Sequence, residues 1–240
     1  MTFDKSSYGL GEAKLHLTLV RHGESPWVVD GKSVDDPHLS PVGAIQAGAL
    51  NRRLQDEKFD HILCSPLTRA RETIEVVSGT GSAVDLAPWL AEIRYPDWQG
   101  QPSRLAAEAL AQMRGLPIEE RWAAFAGTGE TIADFVLRVQ QGLCAFLGSI
   151  GVHMRPGGGP RTWDVVSSPQ RVLLVGHAGS IAAILSTLMG IEAAPWEWER
   201  YQLAYCSVTE MVSFPVNPGH AFSIARLGDV EHLDVPLRKW

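Results

Sequence analysis

The sequence predicts an α/β domain built on a mostly parallel sheet, and two observations predict it. The apolar runs ending at Val20 and at Gly176 each stop at a histidine, His22 and His177, and each then enters a turn before a helix-compatible segment. Between them, short apolar runs alternate with longer stretches of helical periodicity, as in βαβ units. With 240 residues, 45% of them hydrophobic, the chain can bury one large core and fits a single such domain better than two.

The elements follow in order. Residues 1–13 read as a loose, polar, glycine-containing arm without the apolar core of a signal peptide. Leu15, Leu17 and Leu19 alternate and Val20 fills the other face, so a buried strand is expected before Arg21-His22-Gly23. Val28 to His38 is a polar connection. Ser40 is placed to cap a helix from about Pro41 to Glu57, with Val42, Ile45, Ala49, Leu50 and Leu54 on one face. Phe59 to Cys64 reads as a strand, Pro66 to Val77 as a helix carrying Arg69, Arg71 and Glu72, and Val84 to Leu86 as another strand. Pro88 to Gln101 is an aromatic, proline-containing loop.

Leu105 to Met113 and Ile118 to Phe125 look helical and interrupt the alternation, so residues 101–128 are read as a small helical cap. Thr128 or Thr131 would cap a helix from Ile132 to Ile150. Residues 154–170 hold three consecutive glycines and three prolines and are expected to be a flexible surface loop. The second histidine strand follows, with its helix running to Met189. Ser207 to Phe214 and Phe222 to Leu227 alternate as closing strands. The late aromatic segments either form a homodimer surface or pack inside.

Composition excludes several classes. A net charge of −6 argues against a general nucleic-acid surface, so any phosphate site must be a local arginine cluster. No run approaches the length of a membrane span. Cys64, Cys144 and Cys206 have no metal spacing and read as reduced thiols, for which a cytoplasmic setting is the default. No metal site and no cofactor are indicated by the histidine spacing.

In an open α/β sheet, ligands bind beyond the carboxyl ends of the strands. A cation beside an imidazole there suggests an anion site with a nucleophile or base. Arg21-His22-Gly23-Glu24 and Gly176-His177-Ala178-Gly179 together resemble the histidine phosphatase superfamily, in its phosphoglycerate mutase-like branch. Leu39 to Ala47, Ser65 to Thr73, and Leu90-Ala91-Glu92 with Trp98-Gln99-Gly100 match further segments in family order.

The resemblance implies a three-layer sandwich and metal-independent hydrolysis of a small phosphate ester through a phosphohistidine. By position, His22 would be the nucleophile, Arg21 and Arg69 the phosphate ligands, His177 a further donor, and Glu92 the general acid. Ser25, Arg94, Glu130, Thr131 and Ala178 are placed as substrate-binding candidates, while Glu24 orients the loop or bonds to backbone. Two departures stand out: Trp27-Val28 where an asparagine is frequent, and Tyr95-Pro96-Asp97 before Trp98. Phosphoglycerate mutase-type transfer and a catalytically altered phospho-ligand or partner binder are the alternatives.

Overall fold

The computed structural model describes residues 14–77, 83–157, 159–166 and 169–240; the expected arm, 1–13, lies outside them. Strand β1 (Leu15–Arg21) is buried on both faces because its apolar residues serve two cores. Leu15, Leu17 and Leu19 join one hydrophobic cluster, and Val20 joins the other. A hairpin follows, β2 (Val28–Val29) and β3 (Lys32–Ser33), in what reads as polar connection. Its turn places Asp30 and Gly31 at positive φ (49° and 74°), the chemistry of a tight two-residue hairpin.

Helix α1 (Pro41–Leu54) starts where the sequence places it, with Ser40 Oγ accepting from Gly43 N at 3.0 Å. Strand β4 (His61–Cys64), helix α2 (Thr68–Val77) and strand β5 (Val84–Leu86) complete the first half. Residues 101–128, the expected cap, contain α3 (Ser103–Gly115) and α4 (Ile118–Arg121). Helix α5 (Ile132–Ser149) carries Phe135, Val139, Leu143 and Leu147 into the core.

Residues 154–170 are not the continuous loop their glycines and prolines suggest. Strands β6 (Val152–Met154) and β7 (Trp163–Val165) pair as a hairpin. Trp163 is the cause: its indole is fully buried, edge-on to Phe222 at 5.7 Å. Strand β8 (Gln170–Gly176), helices α6 (Ala178–Met189) and α7 (Glu197–Arg200), and strands β9 (Val208–Pro215) and β10 (His220–Asp229) follow.

The strands form one sheet in the order β5-β4-β8-β1-β9-β10-β7-β6. It is parallel from β5 to β1, the half that carries both histidines, and antiparallel beyond. Ala49, Leu50 and Leu54 of α1 and Ile74 and Val77 of α2 cover one face. Helices α5 and α6 cover the other, through Leu143, Ile181 and Leu185 among others. The result is a three-layer sandwich. Cys64, Cys144 and Cys206 are free thiols. Among the described residues, no helix is long and apolar enough to cross a membrane.

Candidate active site

Register brings the two histidines together. Strands β1 and β8 are adjacent and parallel, with Arg21 opposite Gly176, so both chains leave the sheet at one edge. His22 N donates to Gly176 O at 3.0 Å, and the rings of His22 and His177 lie 4.9 Å apart. Gly43 lets α1 support this turn: a Cβ there would stand 2.1 Å from Glu24 O. Glu24 itself accepts from Ser40 Oγ (2.8 Å) and pairs with Lys239 Nζ (2.7 Å), so its role is to anchor the loop.

The tautomer of His22 follows from its partners. Gly23 O can only accept, so Nδ1, 2.7 Å away, carries the proton. Nε2 is then the lone-pair nitrogen, and Arg69 Nε donates to it at 3.2 Å. Burial, followed by the charges of Arg69 and Arg21, holds the imidazole well below its usual pKa. His177 is shifted down in the same way, first by burial and then by Arg69. His177 is thus biased towards the neutral imidazole, and a positive charge on it would need an anion to support it. His177 Nε2 lies 2.8 Å from Ser65 Oγ.

Arg69 is buried at 1% exposure, with its pKa lowered to about 10 by desolvation. Asp36 Oδ1 accepts from its Nη1 at 3.3 Å, and the Trp27 ring covers its guanidinium at 4.3 Å. Arg21 donates from Nη1 to Leu203 O, with its guanidinium 3.9 Å from the Tyr205 ring centroid. Arg21 Nε, Ser25 Oγ and His177 Nδ1 are buried without a partner. Such orphaned atoms fit an anionic ligand with several acceptor oxygens.

Glu92 is fixed by three N–H groups. Oε1 accepts from Ile93 N (3.0 Å) and Trp198 Nε1 (3.2 Å); Oε2 accepts from Gly179 N (3.0 Å), in the first turn of α6. Only glycine fits at 179, since a Cβ there would stand 2.2 Å from the Trp198 nitrogen and 2.4 Å from Glu92 Oε1. With two bonds filling Oε1, Oε2 keeps the lone pair on which a proton can be carried.

Two of the substrate-binding candidates have other partners in the structure. Both oxygens of buried Glu130 accept from Arg138, at 2.8 Å each, leaving no side-chain face for a ligand. Arg138 in turn donates to Pro88 O, Trp89 O and Ala91 O, so this pair clamps the loop that carries Glu92. Thr131 caps α5, accepting from Asp134 N at 3.0 Å. Arg94 is exposed and bonds to Glu130 through its backbone, while Ala178 is the half-buried first residue of α6.

Ser65, Asp36, Tyr205, Trp198 and Arg138 are site residues that sequence reasoning missed. The only signal was position: Ser65 opens a motif segment, Asp36 lies shortly before another, and Trp198 lies in the aromatic stretch after the second histidine helix. Among the described residues, no group of three His, Cys, Asp or Glu side chains is placed to hold a metal ion.

Fold and geometry together define an α/β protein with paired histidines and two arginines gathered beyond the ends of parallel strands. Residues 17–218 match the pattern of the histidine phosphatase superfamily (branch 1), and the chain belongs to that family. Relatives include the probable phosphoglycerate mutase GpmB of Yersinia enterocolitica, 28% identical over 92% of this chain and 96% of that one. The protein of the same name from Erwinia tasmaniensis is 29% identical over 92% and 95%. Among solved structures, a mycobacterial glucosyl-3-phosphoglycerate phosphatase superposes with a TM-score of 0.67 at 22% identity, over 91% of this chain and 100% of that one. A phosphoserine phosphatase from Entamoeba histolytica, in complex with phosphoserine, gives 0.65 at 21% identity over 91% and 99%. These likenesses establish the phosphoglycerate mutase-like fold.

Proposed function

We propose that the protein hydrolyses a small phosphomonoester through a phosphohistidine on His22. The observation that carries this reading is the state of His22: neutral, protonated on Nδ1, with Nε2 turned to the Arg69 guanidinium at 3.2 Å. A phosphoryl group arriving there would replace that contact and meet a lone pair aligned by the opposite ring nitrogen. Nε2 forms the N–P bond as the ester P–O bond breaks. Arg21 and Arg69 take the charge of the non-bridging oxygens, aided by His177. Glu92, through Oε2, gives its proton to the leaving oxygen. It then takes one from the water that breaks the N–P bond and regenerates His22.

The test is the intact mass of the protein during turnover of an aryl phosphate. The expected result is a transient gain of one phosphoryl group, absent in His22→Ala, with turnover down by at least about a thousandfold. A folded protein that shows neither adduct nor turnover would overturn the reading. The names of its relatives favour a second reading, phosphoglycerate mutase-type transfer. Interconversion of phosphoglycerates with a bisphosphate primer, faster than hydrolysis, would select it. Against it, Val28 is an exposed apolar residue that offers no side-chain hydrogen bond beside the site loop.

A further inference from the structure

A cavity of ≈ 150 Å³ lies between the cap helices and the body of the domain. Its apolar lining includes Tyr95, Met113, Phe125 and Ile132. Two further walls, Ile93 and Trp198, are the residues whose N–H groups hold Glu92 Oε1. The leaving oxygen of any ester must come within hydrogen-bond reach of the Glu92 carboxyl. We infer that the group attached to that oxygen enters this cavity and is an apolar, ring-bearing one. This deepens the hydrolase reading and rests on it.

Three observations favour such a group. A cavity of about this volume has room for a benzene-sized guest. Of its two cations, Arg121 is engaged, donating to Leu116 O (3.0 Å) and Arg114 O, and the exposed Arg114 has the Glu199 carboxylate beside it, 4.0 Å from Nε. A leaving group with its own carboxylate would set that charge against aromatic surface without a dedicated partner. Finally, Phe125 is held at φ 68°, where bulky residues rarely go. Edge-on contacts with Tyr95 (5.5 Å) and Trp98 (6.1 Å) keep it there, so the aromatic wall is preformed.

The experiment compares benzyl phosphate with phosphoserine and 3-phosphoglycerate, all esters of unactivated alcohols, so that binding rather than leaving-group chemistry is read. In parallel, the affinities of benzylphosphonate and methylphosphonate, which are not hydrolysed, are measured on the same protein. The expected results are a kcat/KM for benzyl phosphate at least about tenfold above the other two, and benzylphosphonate bound at least about tenfold tighter than methylphosphonate. Leu110→Trp, which fills the cavity from α3, should cut both ratios to within about threefold of unity. Equal affinity of the two phosphonates on the wild-type protein overturns the inference, as does preference for the acidic esters. If no ester turns over but the phosphonate preference is present and lost in Leu110→Trp, the cavity assignment stands and the hydrolase reading falls.

Discussion

The imidazole proposed as nucleophile is biased towards its uncharged form by its surroundings. Burial and the flanking arginines lower the pKa of His22 and of His177. An unfolded histidine takes up its proton near pH 6.5, at about the model-peptide value. Below that value the unfolded chain binds protons that the folded chain does not, so stability is fully present above about pH 6.5 and falls as pH drops. Melting curves between about pH 7 and pH 5.5 should show a loss of up to about 1.4 kcal/mol per pH unit for each histidine. His177→Gln should flatten that slope by about one proton. Trp198 acts on the other side of the chemistry, through its bond to Glu92. Trp198→Phe keeps a ring to stack on Phe135 and removes the donor. It should lower kcat/KM about tenfold for an alkyl phosphate and leave kcat/KM for p-nitrophenyl phosphate, whose leaving group needs no proton, nearly unchanged. His22 and Arg69 were legible because each lies in a segment with a recognisable pattern. Ser65, Asp36 and Tyr205 were not, since a single polar residue shows its purpose only once its partner is in place.

Among the elements, the acid loop depends most on a distant helix. It has only a 3-10 turn, Pro88–Leu90, of its own. Its carbonyls converge on Arg138 of α5, which Glu130 holds in a two-bond fork. Arg138→Met leaves Glu130 buried without its partner and the loop without its clamp. We expect a stability loss of about 1–3 kcal/mol in denaturant melts and a kcat about 10–100-fold lower, through displacement of Glu92. The helices α1, α2 and α5 were legible in the sequence from caps and periodicity. Strands β6 and β7 were not: three-residue strands flanking a glycine and proline run carry too little alternation to register. Only the burial of Trp163 reveals that the segment extends the sheet. The Glu130-Thr131 segment was legible as a helix start, whereas the pairing of Glu130 with Arg138 was not, because a buried carboxylate can face an arginine as readily as a ligand.

Across the whole molecule, an acidic chain of net charge −6 concentrates buried arginine at one sheet edge. The parallel half of the sheet positions that edge, and its last strand in sequence, β8, lies between β1 and β4. The order of synthesis therefore matters. Until β8 emerges, β4 has one unpaired flank and β1 has two, since its other neighbour, β9, comes later still; both strands are then templates for pairing with other chains. A chain stopped at residue 169 should sediment as aggregate while the full chain remains in the supernatant, as solubility after expression would show. Activity is consequently withheld from nascent protein: the strand that closes the gap is the one that leads into the second histidine, so competence cannot precede closure of the parallel half.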